Sequence, residues 1–226
     1  MPERDSGHRF LAFHFGYSST LMLMLIPILG ESWSEASEDL ADYMLDHLSV
    51  ISAAFRAFGV DLLGGWEADF VDEFRKRLVA GEGDWIEGRS KALDRTIRST
   101  RWILYLGMDP EERAFYSLGS SLARASMAFV AEAVEHEEAR EFLSETAEEL
   151  VEAARRVNLP VDILQGIEDL AELLLSARAE TLEFESLSSQ ASDVFSKVFH
   201  WLSGAQPVCE KAPSGDGHEP SDTVAI

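Results

Sequence analysis

The sequence has little cysteine and little basic charge. Its 226 residues include one cysteine, Cys209, which excludes a disulfide framework and a cysteine-based zinc site. Only 19 Lys and Arg residues oppose 41 Asp and Glu residues, so the formal net charge is −22. Such a chain would repel the phosphates of a nucleic acid. It also has no excess of basic residues to displace the counterions bound to those phosphates, which is the main source of affinity for nucleic acids. We therefore expect no nucleic-acid partner.

Sequence motifs for catalysis are also lacking. The chain has neither a Gly-x-Ser-x-Gly elbow nor a glycine-rich phosphate loop after a strand. A di-iron helical bundle needs two Glu-x-x-His motifs, and no histidine has a glutamate three residues before it. We therefore predict no cofactor, and we lean towards a protein that is not an enzyme.

Strand-like alternation is scarce after residue 30, whereas signals for helix starts and stops are frequent. Four cap residues are each followed three positions later by Glu or Gln: Ser32 and Glu35, Asp84 and Glu87, Asp109 and Glu112, Asp162 and Gln165. Glycine or proline follows most of the periodic segments. The pattern predicts an all-α fold, a bundle of five to seven helices. One domain over 1–204 would be followed by a flexible polar tail over 205–226.

The predicted helix boundaries include two segments that are too long for a compact domain. The predicted helices cover 32–58, 66–80, 84–106, 109–157 and 162–203. At 1.5 Å per residue the fourth would be about 70 Å long. Residues 135–141 are polar almost all round, so we expect a break or a solvent-exposed bridge near His136. A similar weak point lies at 186–192.

An uncharged apolar segment occupies residues 10–30, with nine apolar residues in a row over 21–29. Its length could span a bilayer. The polar stretch 16–20 and Pro27 weaken a continuous spanning helix, and part of the segment alternates like a short extended arm. A buried core segment is the favoured interpretation. Membrane association through this segment and a cleaved signal peptide are the alternatives. The corresponding prediction for localisation is cytoplasmic, with a membrane-associated or secreted protein as alternatives.

Charges of opposite sign are concentrated on two predicted helix faces. Three basic residues share one face of helix 84–106: Lys91, Arg95 and Arg98. Four glutamates recur at i,i+4 spacing in a later helix and repel one another: Glu137, Glu141, Glu145 and Glu149. These faces would pack beside each other, or would bind a protein partner or a second copy. The favoured function is a non-catalytic interaction or regulatory module, with self-association as one form of that interaction.

Aromatic residues suggest an alternative function. A pocket between helices could be lined by Trp102, Tyr105, Phe115 and Tyr116, as in a small-ligand-binding protein or an enzyme. Nearby, the small residues Gly119 and Ala123 predict a tight helix crossing. A candidate metal site is Glu132 with His136, four residues apart on one helix face, and a third ligand would have to come from elsewhere.

Overall fold

The structure is a computed structural model that describes residues 3–32, 38–57, 82–128, 136–176 and 184–204, with isolated positions between 73 and 80. The described residues form seven helices and no strand. In chain order the helices are α1 (Glu3–Ser32), α2 (Glu38–Ala57), α3 (Gly83–Gly107), α4 (Pro110–Ser126), α5 (His136–Arg155), α6 (Val161–Ser176) and α7 (Phe184–Ser203). The prediction of an all-α bundle is confirmed. Most of the predicted helix 66–80 and the whole tail 205–226 fall outside the described ranges.

Helix α1 lies in the middle of the bundle and contacts α2, α3, α4 and α7. Phe13, Phe15 and Met22 are fully buried. The segment Gly7–Ile26 is long and apolar enough to cross a membrane, yet 72% of its apolar stretch is buried inside the protein. The core interpretation therefore accounts for this apolar run. The extended arm is wrong, because residues 3–32 are one helix. Membrane association stays a prediction.

Helices α1 and α4 cross with their backbones in contact. A Cβ atom placed on Gly16 would lie 2.1 Å from the carbonyl oxygen of Tyr116. A Cβ atom on Gly119 would lie 2.0 Å from the carbonyl oxygen of Phe13. No side chain larger than hydrogen fits between the two helices at either position. The tight crossing predicted from Gly119 is confirmed, and Gly16 is its counterpart.

The polar stretch 16–20 stays helical because its hydroxyls find partners within the bundle. Ser18 Oγ lies 3.0 Å from His47 Nδ1 of α2. Thr20 Oγ1 lies 2.8 Å from Ser120 Oγ of α4. Buried hydroxyls with partners avoid the cost of desolvation that would otherwise disfavour this segment. The expectation of a poor helix here was wrong because these partners are distant in sequence.

The predicted helix starts have different outcomes. At α4 the capping box is complete: Asp109 Oδ1 accepts from the backbone N–H of Glu112, and Glu112 Oε2 accepts from the backbone N–H of Asp109. Asp84 and Asp162 lie one residue inside their helices, so neither is a cap. Ser32 ends α1 rather than starting a helix. Local spacing therefore identified one capping residue, Asp109, and came within two residues of two other helix starts, but it was wrong at Ser32.

The two overlong predicted helices are each replaced by two described helices. Segment 109–157 contains α4 and α5, and α5 begins at His136, where the break was expected. Segment 162–203 contains α6 and α7, and the weak point predicted at 186–192 is wrong, because those residues lie inside the continuous helix α7. At the end of α7, Gly204 has a φ of 68°, the left-handed conformation that glycine adopts freely.

Candidate functional site: a polar cleft between helices

A cleft of about 480 Å³ opens between α1, α3, α4 and α5. Its volume lies in the range typical of small-ligand sites. Twelve residues line it: Thr20, Arg101, Tyr105, Tyr116, Ser117, Ser120, Ser121, Arg124, Glu149, Glu152, Ala153 and Arg156. Three arginines and two glutamates give this lining a small positive charge. The cleft thus differs in sign from the strongly acidic chain that contains it.

Helix packing explains why there is space at this position. Helix α3 packs against α1, and α4 packs against both α1 and α5. Neither α4 nor α5 packs closely along α3. The flank of α1 at Thr20 therefore forms the floor of a gap, with α3 on one side and α4 and α5 on the other.

Arg101 crosses this gap from α3 to α4. Its Nε donates a hydrogen bond to Tyr116 Oη, and its Nη2 donates to Ser120 Oγ over 3.1 Å. The guanidinium carbon also lies 5.3 Å from the centre of the Tyr116 ring. All these partners are neutral. Among the described residues, no carboxylate forms an ion pair with Arg101.

The surroundings of Arg101 disfavour its positive charge. Burial, followed by the nearby charge of Arg98, lowers the pKa of Arg101 to about 10, and Glu149 opposes this effect. The guanidinium still carries its charge at neutral pH. A partly buried cation with only neutral hydrogen-bond partners loses part of its hydration without the compensation that a negative charge would give. An anion bound in the cleft would supply that compensation.

The other two arginines of the cleft are already paired. Arg124 Nη1 donates to Glu149 Oε2 over 2.6 Å, and its guanidinium carbon lies 5.2 Å from the Phe142 ring centre. Arg156 Nη2 donates to Glu152. Side chains of the Arg156 and Glu152 pair are more than half exposed, whereas only 21% of Arg124 is exposed. These ion pairs lie at the edge of the cleft, and Arg101 is the lining arginine that has no carboxylate partner among the described residues.

The predicted aromatic pocket is divided by the fold. Tyr105 and Tyr116 both line the cleft, and their rings meet edge to face at 5.3 Å. Trp102 stacks beside Tyr105 but is 61% exposed on the outside of α3. Phe115 is buried on another side of α4, 6.2 Å from the ring of Trp201. Two of the four predicted residues thus belong to the cleft.

The predicted charged faces do not meet in the described residues. Glu145 and Glu149 pair with Arg124 of α4, a residue that the sequence analysis did not single out. Arg98 pairs with Asp94 in its own helix, and Arg95 Nε donates to the carbonyl oxygen of Lys91. Glu137 and Glu141 are exposed. The interaction of these surfaces with a partner stays a prediction.

Sequence reasoning missed the arginines and hydroxyls of the cleft. One pattern in the sequence could have indicated the cleft. Polar side chains recur at helical spacing along a helix that is otherwise buried: Ser117, Ser120, Ser121 and Arg124. Arg101 carried no local signal, because its importance comes from contacts with a different helix.

Metal ligands are not clustered in the part of the chain that the structure describes. No group of three or more His, Cys, Asp or Glu side chains is placed to hold an ion there. Glu132 lies outside the described ranges, and His136 contributes only the first backbone residue of α5. The suggested pair therefore stays a prediction.

Comparisons with known proteins give no relative: no family model, curated protein or solved structure matches this chain.

Proposed function

We propose that this protein binds a small carboxylate in the cleft between α1, α3, α4 and α5. The observation that carries the proposal is Arg101, a partly buried cation that lines a cavity and has only hydroxyl partners in the described chain. Arginine suits this role because its planar fork matches the two oxygens of a carboxylate. This role corresponds to the alternative of an interhelical pocket that the aromatic residues suggested.

The hydroxyls beside Arg101 support an anionic ligand. Because the Tyr116 oxygen accepts from Arg101, its own proton is available for donation to a ligand oxygen. Ser120 accepts from Arg101 and shares a hydrogen bond with Thr20, so these two hydroxyls form a polar floor. The ring of Tyr105 offers an apolar surface for the rest of the ligand.

Charge favours a carboxylate over a phosphate ester. Arg124 and Arg156 each form an ion pair with a glutamate of the lining, which leaves the charge of Arg101 for the ligand. A ligand with one negative charge matches this single cation. Glu149 and Glu152 also line the cleft, and they would repel the second charge that a phosphate monoester carries near neutral pH.

The first test is a ligand screen by thermal shift, followed by calorimetric titration. The probes are acetate, benzoate, phenylacetate and succinate, with inorganic phosphate and phenyl phosphate as the phosphate arm. We expect an aromatic monocarboxylate to raise Tm more than phosphate does. Arg101→Met should weaken its binding by about 10- to 100-fold, the loss expected for a charge-assisted hydrogen-bonded contact.

The matched control is Arg95→Met, which removes an exposed arginine from the same helix and should leave binding unchanged. If phosphates bind and carboxylates do not, the anion site is retained and the carboxylate assignment is wrong. If no probe binds, or if Arg101→Met and wild type bind equally, the proposed function is wrong.

A further inference from the structure

The outer face of α3 carries a continuous stripe of exposed basic and apolar side chains. We define the α3 stripe as Lys91, Arg95, Arg98, Trp102, Ile103 and Leu106. Five members recur at intervals of three or four residues over about four turns, about 22 Å at 1.5 Å per residue, and Ile103 borders them beside Trp102 and Leu106. All six are exposed, and the stripe runs beside the cleft that Arg101 and Tyr105 line from the same helix, since Trp102 stacks beside Tyr105.

The apolar end of the stripe is unusual for a protein surface. Trp102 is 61% exposed, Ile103 is 54% exposed and Leu106 is 55% exposed. Scattered apolar side chains are normal on surfaces, but three large ones within two turns form a contiguous patch. Tryptophan is among the residues that contribute most to protein interfaces.

The basic end reverses the sign of the chain around it. The protein has a net charge of −22, yet three basic side chains lie together on this face. The ion pair of Arg98 with Asp94 leaves 60% of the Arg98 side chain exposed. Positive charge on an acidic protein attracts an acidic partner to one surface and disfavours contacts elsewhere.

We infer that the α3 stripe is a docking surface for an amphipathic helix of another protein, with carboxylates at one end and large apolar side chains at the other. The carboxylates would lie against Lys91, Arg95 and Arg98, and the apolar anchors would pack on Trp102 and Leu106. Anchors spaced three and four residues apart are the usual way in which a helix binds such a surface. This inference does not depend on the ligand proposed for the cleft.

A second copy of the chain fits the stripe less well. The acidic helix α5 could match the basic end through Glu137 and Glu141. However, all the exposed side chains described in α5 are charged. A second copy would therefore leave the apolar end without an apolar counterpart on that helix, which is why we assign the surface to a different protein.

The test uses a panel of stapled helical peptides of about 18 residues, since shorter unstapled helices are marginal in water. One half of each peptide carries Glu at i,i+4 and the other half carries Leu and Phe. The panel includes peptides with the acidic half at the N-terminus and peptides with it at the C-terminus. Fluorescence anisotropy at low and high salt measures binding to the full chain. One control peptide replaces each Glu by Gln, and another replaces Leu and Phe by Ser.

We expect the peptides of one orientation to bind. Their affinity should fall as the salt concentration rises, and it should be higher for the Glu peptide than for the Gln control. Binding should weaken by at least about tenfold in Arg95→Glu with Arg98→Glu, and likewise in Trp102→Ser with Leu106→Ser. The matched control, Arg140→Glu with Lys197→Glu, makes the same change in net charge on exposed residues of α5 and α7 and should bind as wild type does.

Three results would overturn the inference. The first is no binding of any peptide to the folded protein. The second is equal loss in the charge-matched control, which would mean that net charge rather than the α3 stripe governs binding. The third is concentration-dependent dimerisation in sedimentation velocity that the stripe variants abolish, which would make a second copy the occupant.

Discussion

Helix α1 meets α4 and α3 in two different ways. Against α4 it packs backbone to backbone at Gly16 and Gly119, with no room for a methyl group. Against α3 the packing is partial, and beyond Thr20 a cleft of about 480 Å³ remains, bridged by Arg101. Gly16 and Thr20, on adjacent turns of one helix, thus belong to a backbone contact and to a cleft.

This difference shows how the bundle combines rigidity with a site. The glycine crossing fixes α4 on α1, so Tyr116 and Ser120, which flank Gly119, hold their positions beside the cleft. A site held within a fraction of an ångström needs this kind of supporting contact. Polar residues then keep the remaining gap from being filled by apolar packing.

The largest expected effect comes from breaking the tight side. Gly119→Ala places a methyl group 2.0 Å from the carbonyl oxygen of Phe13, and neither backbone can yield without moving its helix. We expect the free energy of unfolding to fall by about 3 kcal/mol or more, the upper range for overpacking. Urea denaturation measures this loss.

Gly88→Ala is the matched control. It lies within α3, and nothing approaches within 4 Å of its added methyl group. Because alanine favours the helix over glycine, this variant should gain about 0.5–1 kcal/mol. Equal stabilities of the two variants would contradict the backbone contact between α1 and α4.

A third contact of α1 makes stability depend on pH. Ser18 and His47 join α1 to α2, and burial, followed by the charge of His14, lowers the pKa of His47 from 6.5 to about 4. Its neutral form is favoured in the folded state, so its contribution to stability is present above about pH 6.5. That contribution is lost as pH falls towards about 4, by up to about 3 kcal/mol.

Denaturation of His47→Gln between pH 7 and pH 4 isolates this effect from that of the many carboxylates. We expect a flatter loss of stability than in wild type. His200→Gln, at an exposed position of α7, should follow the wild-type curve. Identical slopes for wild type and His47→Gln would show that His47 titrates as in the unfolded chain.

The smallest expected effect lies on the open side of α1. Ser120→Ala removes a partner of both Thr20 and Arg101, and solvent in the cleft can replace part of the loss. We expect a cost of about 1–2 kcal/mol in the free energy of unfolding. Ser99→Ala, whose exposed hydroxyl bonds only to its own helix, should change stability by less than about 0.5 kcal/mol. A larger loss for Ser99→Ala than for Ser120→Ala would contradict the bridging role of Ser120.

Much of the fold could be predicted, but only part of the site. The periodicity and the Asp109 capping box predicted helices and one start correctly, because both signals depend on near neighbours in the chain. Asp84 and Asp162 carried the same spacing without being caps, since helix ends also depend on tertiary contacts. Tyr105 and Tyr116 were predicted for a pocket, and Arg101 was not.

The sequence by itself determined the helical class, the break near residue 136, the acidic charge and the tight helix crossing at Gly119. Each follows from local spacing or from composition, which no packing arrangement alters. Only the tertiary structure decided that residues 3–32 form the central helix, that Glu149 pairs with Arg124, and that Arg101 lies in a cleft with neutral partners. Those outcomes join residues far apart in the chain, and the free energy of a buried charge depends on what surrounds it in space.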